Sequence, residues 1–253
     1  MSAGVEWSIL LPAFLAGLLV LSTHVPFGEQ VLARGIVFID LAVAQVAALG
    51  VVAASLAGMA PHGLPMQATA VGAALAAALL LAWTERRWPA VQEAIIGVLF
   101  VLAASAALLV LSHNPHGGEY LKELLEGQIL WVGVAELGAV LAISVPVLAV
   151  WWRWRGRLPR LGFYVLFALA VTASVQLVGI YLVFASLIVP PLAARAWPPR
   201  RRLAMAYLLG ALGYAAGLTL SALADLPAGA VIVVCLVAVG LILAGARRAL
   251  SAG

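Results

Sequence analysis

Charge is what this chain has least of. Only 9% of its 253 residues are Asp, Glu, Lys or Arg, against 65% hydrophobic residues and a mean hydropathy of +1.14. So little polar surface cannot coat a soluble globule of this size, which leaves the lipid bilayer as the solvent. A long polar stretch is missing too, so a separate soluble domain has nowhere to fold; residues 1–253 read as one transmembrane domain. Cysteine is reduced to Cys235, inside an apolar run and without a CxxC partner, which excludes a disulfide framework and a thiolate metal site. No GxxxxGK[ST] loop occurs, so ATP binding by this chain is unsupported. No nucleophile constellation points to an enzyme either. Ahead of the first apolar span stands Glu6 in place of a basic stretch, and no small-residue cleavage site follows, so a removed signal peptide is not expected.

What is present is a series of apolar runs of roughly 20 residues, the length that crosses a hydrocarbon core about 30 Å thick. They lie near 8 to 24, 36 to 58, 67 to 84, 93 to 112, 133 to 152, 203 to 223 and 228 to 246, with a longer run from 163 to 194. A backbone in lipid must satisfy its own hydrogen bonds, and runs of this length do so as helices. The fold class expected is therefore all-α, a polytopic transmembrane bundle.

The net charge of +4 and the pI near 9.7 could suggest a nucleic-acid partner. The arginines, however, fall in short clusters between apolar runs, which is the pattern of membrane topology and not of a binding face. The clusters are Arg86 and Arg87; Arg153, Arg155, Arg157 and Arg160; Arg195 with Arg200, Arg201 and Arg202; and Arg247 with Arg248. Placing all of them inside requires the run 163 to 194 to cross twice. Gln176 and Gly179 at its middle would allow a broken helix with halves 163 to 178 and 180 to 196. That gives nine spans with the amino end outside; one long tilted helix, giving eight, is the alternative.

Two stretches carry polar chemistry where apolar residues would suffice. In "GIVFIDLAVAQVAALG", residues 35 to 50, an acid and an amide, Asp40 and Gln45, stand in an otherwise apolar helix. A carboxylate at membrane depth costs about 2.5 to 3.5 kcal/mol on insertion scales, so it normally faces a partner or a wet route. Arg34 could be a structural partner for Asp40, and Gln45 could bond a neighbouring helix. Five positions apart, the two residues are rotated by about 140° and need not share one ligand. In the loop beginning "SHNPHGGEYLKELLEG", His113, His116 and Glu119 offer the imidazole and carboxylate donors that zinc, manganese and iron accept, although solvated turn histidines would look the same. The leucines at 121, 124 and 125 opposite Lys122, Glu123 and Glu126 suggest an interfacial amphipathic helix.

Three stretches together, 35 to 50, 92 to 132 and "VQLVGIYLVFASLIVPPLAARA" at 175 to 196, resemble the membrane subunits of ABC importers for zinc and manganese, as does "LADLPAGAVIVV" at 223 to 234. The resemblance implies a permease that pairs with a second copy of itself, rests on a cytoplasmic ATPase dimer and receives a divalent ion from an extracytoplasmic metal-binding protein. It also implies residence in a prokaryotic inner membrane. The ion would be cargo, zinc or manganese and possibly iron, with no cofactor held permanently; membrane lipid is the other partner and nucleic acid is not one. Asp40, Gln45, His113, His116 and Glu119 are the candidate metal contacts. Two departures stand out. Many relatives carry a His four residues after the Asp, where this chain has Gln45 five residues after it. The relatives' coupling segment, with wording like Asp-Pro-Glu, is missing between Trp152 and Phe163, so ATPase coupling falls to Arg155 and Arg157 or to Arg195, Arg200, Arg201 and Arg202, unless both clusters are simple positive-inside anchors. A permease for a metal chelate or vitamin and a non-ABC secondary carrier are the competing classes.

Smaller readings complete the chain. Glu93 suits the positive amino end of its own helix, Asp225 suits a turn before Pro227 and Gly229, and His24 reads as structural. Gly213 and Gly217 form a GxxxG that permits close helix approach within or between protomers.

Overall fold

The computed structural model describes residues 7–60, 63–112, 122, 125–154 and 156–252, apart from the side chains of residue 7 and residues 248–252. Among these are nine α-helices: α1 Trp7–Arg34, α2 Ile39–Leu56, α3 Leu64–Arg87, α4 Gln92–Leu111, α5 Val134–Arg153, α6 Arg160–Val178, α7 Ile180–Ala194, α8 Pro199–Ala224 and α9 Ala228–Ala252. Short 3-10 turns at Pro89–Val91 and Ile129–Trp131 join them, and no strand occurs among the described residues. All the helices but α7 are long and apolar enough to cross a membrane.

The expected double crossing of residues 163 to 194 is visible as a break at Gly179, whose φ of +80° and ψ of 164° only glycine adopts without strain. Contacts fix which ends meet. Arg34 at the end of α1 lies over the ring of Phe163 at the start of α6, and Arg195 just past α7 donates to the Leu32 carbonyl at 3.3 Å. Both arginine-rich loops therefore share one end of the bundle. At the opposite end Gly127 packs backbone to backbone on Val178 and Gly179, and Gly229 packs on the Glu126 carbonyl. The chain thus runs through α6 to the far end and returns through α7. With 15 residues, α7 spans about 22 Å, short of a full hydrocarbon core. Its neighbours α1, α2, α6, α8 and α9 enclose it.

One boundary differs from the sequence reading. The first span was expected to end at His24, ahead of Pro26 and Gly28, yet α1 continues to Arg34. Pro26 has no N–H to donate to the carbonyl four residues back, and in lipid that carbonyl needs a substitute. The Tyr207 hydroxyl of α8 supplies it, donating to the Ser22 carbonyl at 3.1 Å. Two residues further on, Gly28 is the close-approach position of α1: a Cβ there would clash with the Leu187 carbonyl, the acceptor that Pro191 leaves free in α7.

Gly213 and Gly217 resolve as packing within one chain, since any Cβ on them would clash with Leu236 and Ile232 of α9. Asp225 adopts the left-handed conformation (φ 53°) that ends α8, as a turn residue.

Candidate functional site

α2 positions the intramembrane acid. Gly35, at φ +70°, reverses the chain after α1, and Phe38 precedes the first helical turn, in which Asp40 stands. α2 is packed against α3 and α4 on one side and α6 and α7 on the other. That enclosure buries both Asp40 and Gln45, at 0% and 4% exposure, although they point about 140° apart on the helix. Sequence periodicity alone could not have placed both inside.

Neither carboxylate oxygen of Asp40 has a hydrogen-bond partner among the described residues. Arg34, the candidate partner, is engaged elsewhere: its guanidinium carbon lies 4.2 Å above the Phe163 ring, a cation–π contact, and the pairing with Asp40 is not formed. A buried carboxylate without a counter-charge is costly unless a cation or a proton completes it. Among the described residues no three His, Cys, Asp or Glu side chains converge as a metal-holding group. Asp40 and Gln45 share a helix; His113, His116 and Glu119 lie outside the described residues.

A second polar group went unread in the sequence. Gln92, the first residue of α4, is buried, and its Oε1 accepts from Thr84 Oγ1 at 2.9 Å. Its Nε2 donates to the Leu81 carbonyl at 3.0 Å and to the Tyr164 hydroxyl at 3.3 Å, tying α3, α4 and α6 together at the arginine end. Glu93 beside it accepts from the Phe38 N–H at 3.2 Å. It stands in the first turn of α4, as the sequence suggested, and reaches across 55 residues of chain to the start of α2 as well. The signal available was a polar pair opening an apolar run; the partners could not be read from it.

His24, at mid-helix in α1, is fully buried. Its Nδ1 lies 2.9 Å from the Val20 carbonyl, so Nδ1 carries the proton, and Nε2 has no partner among the described residues. The candidate coupling arginines divide. Arg195, although exposed, donates to the Leu32 carbonyl, Arg202 donates through Nε to the Trp197 carbonyl at 3.1 Å, and Arg157, Arg200 and Arg201 are exposed. Arg155 lies outside the described residues.

Two hollows open at the surface, and Asp40 lines neither. One of about 530 Å³ lies at the far end between residues 126–131 and 226–229. The other, about 600 Å³ and almost wholly apolar, runs between α1 and α5.

Among solved structures the chain is similar to PsaBC from Streptococcus pneumoniae in complex with Fab, with a TM-score of 0.77, 18% identity, and coverage of 94% of this chain and 91% of that one. It is also similar to a protein described as a metal-chelate type ABC transporter in an inward-facing conformation, with a TM-score of 0.71, 17% identity, and coverage of 92% and 84%. These likenesses establish the fold. The profile of the ABC 3 transport family matches residues 6–158 and 156–246, nearly the whole length. A bundle of apolar helices and a family match over residues 6–158 and 156–246 place this chain in the ABC 3 transport family.

Proposed function

We propose that the chain is the translocation subunit of an ATP-driven importer for a divalent transition-metal ion, zinc or manganese in the first instance, and that Asp40 is its intramembrane cation contact. The observation that carries this reading is the Asp40 carboxylate, fully buried in α2 and, among the described residues, without a hydrogen-bond partner for either oxygen. Hard or borderline divalent ions take carboxylate oxygen readily, and a cation passing Asp40 offsets a charge that the protein itself leaves uncompensated. Gln45, also buried on α2, supplies an amide oxygen further along the same helix.

The partners follow from the family and from the chain's own lack of an ATP-binding loop. A cytoplasmic ATPase dimer supplies hydrolysis, a second copy of this chain completes the pathway, and an extracytoplasmic binding protein delivers the ion to the end opposite the arginine loops. The exposed Arg157, Arg200 and Arg201 are the surface on which the ATPase rests, in a prokaryotic plasma membrane. The outer-loop donors His113, His116 and Glu119 would receive the ion before it reaches α2.

The test is uptake by the permease reconstituted with its ATPase, with Zn²⁺, Mn²⁺ and Fe²⁺ offered in turn, comparing the parent with Asp40→Asn. The variant keeps size and hydrogen bonding and loses charge, so uptake should collapse while assembly persists. Parental uptake by Asp40→Asn, or uptake of chelates but of no free ion, would overturn the reading.

A further inference from the structure

Resting on that role for Asp40, we infer that Glu93 is the positioning residue of the cation contact, a post from α4 that fixes the amino end of α2. α2 opens without a cap of its own: Phe38 occupies the cap position and has no side-chain oxygen to offer the first-turn N–H groups. Ser, Thr, Asp or Asn normally serves there. Here an acceptor from 55 residues away serves the cap residue itself, where Glu93 Oε1 takes the Phe38 N–H at 3.2 Å.

The post is stiff because of the residue before it. Gln92 is held by Thr84, by the Leu81 carbonyl and by Tyr164, so the backbone that carries Glu93 is pinned to α3 and α6. Phe38 is held on its other side by a parallel stack against Phe184 of α7, with ring centroids 6.3 Å apart and planes 3° from parallel. Asp40 stands two residues beyond Phe38, so any slip of Phe38 is passed to its carboxylate through a single helical step. No hydrogen bond among the described residues fixes that carboxylate. Its position therefore follows the packing of α2 and the seating of its amino end, where Glu93 and the Phe38 stack meet.

Reach and charge can be separated at this site. Glu93→Gln keeps the length and an acceptor oxygen while removing the charge. Glu93→Asp keeps the charge and retracts the carboxylate by one methylene, out of range of the Phe38 N–H. The reconstituted permease–ATPase complex would be assayed for uptake of Mn²⁺ and of Zn²⁺ alone, recording half-saturating concentration and maximal rate separately. For Glu93→Asp and Glu93→Ala the expected result is a rise of about five- to tenfold in half-saturating ion concentration, the equilibrium equivalent of a lost cap. Glu93→Gln should return it to within about twofold of the parent. The reverse order, with Gln impaired and Asp parental, would mean that the charge acts directly, and would overturn the inference. So would a fall in membrane yield and maximal rate with half-saturation unchanged in Glu93→Asp, which would make the residue a stability element only. Asp40→Asn in the same series separates the two claims: its normal transport would remove the cation contact itself, whatever Glu93 does.

Discussion

The break between α6 and α7 offers the sharpest quantitative test, because two glycines with similar φ sit in opposite surroundings. Gly179 has φ +80° and ψ 164°, and a Cβ there would collide with the backbone of Glu126 and Gly127. Gly35 has φ +70°, and a Cβ there would meet nothing within 4 Å. Gly35→Ala therefore incurs only the conformational penalty, about 1 to 2 kcal/mol for a left-handed residue. Gly179→Ala incurs a backbone strain of order 1 to 3 kcal/mol, and in addition an overpacking cost of typically 1 to 3 kcal/mol, because the obstructing atoms are main chain and cannot rotate away. Because the two positive-φ penalties are of similar size, the difference between the two variants should be close to the overpacking cost, about 1 to 3 kcal/mol. Reversible unfolding of the purified permease in mixed micelles, monitored by tryptophan fluorescence and extrapolated to zero denaturing detergent, would measure it. Equal losses of stability in the two variants would refute the close seating of residues 126–127 on the break.

Three further outcomes follow from the geometry. Tyr207→Phe leaves the Ser22 carbonyl bare opposite Pro26, and should destabilise the fold by about 0.5 to 2 kcal/mol in the same unfolding assay, with Tyr181→Phe near zero as the exposed control. Because Arg34 lies on Phe163 and not beside Asp40, Asp40→Asn and Arg34→Ala should add in membrane yield to within about 0.5 kcal/mol; rescue of one by the other would restore the ion pair. Single cysteines introduced in a Cys235→Ser background at Pro159 and at Pro199 should share protection from an impermeant thiol reagent applied outside, while one at Asp225 labels. Labelling of only one of the two proline sites would break the shared end.

The hydropathy of the runs was enough to read the number and kind of elements, since helix formation in lipid is compulsory and length decides the count. The break at Gly179 was legible for a related reason. Two arginine clusters had to lie on one side of the membrane, and a glycine stood midway between them. The end of α1 was misjudged because Pro26 reads as a stop, and the hydroxyl that repairs it comes from Tyr207, 181 residues further along the chain. Asp40 was conspicuous as an acid among apolar letters, whereas its lack of a partner depends on where Arg34 points, and the aromatic face that draws Arg34 away belongs to another helix. The place of Glu93 in the first turn of α4 is legible as an acid opening an apolar run, whereas its contact with Phe38 is not, because sequence offers no distance between residues 38 and 93. GxxxG spacing marked Gly213 and Gly217 as contact positions; that the contact is α9 of the same chain is a property of the tertiary arrangement.

The brevity of α7 bears on how the chain is made. A helix about 22 Å long does not reach across the hydrocarbon layer, so lipid alone does not hold it in place. Two of the helices that wall it in, α8 and α9, are synthesised after it. Until they arrive, α7 is joined to α6 through one glycine and lacks both Gly240 of α9, which packs on its Ala193, and Tyr214 of α8, whose hydroxyl bonds its Ser186. The last two helices thus act during biogenesis as a closing wall. A nascent chain ending before Pro199 holds Asp40 on a completed α2 inside a bundle whose central return segment is walled by α1, α2 and α6 and still open on the side of α8 and α9.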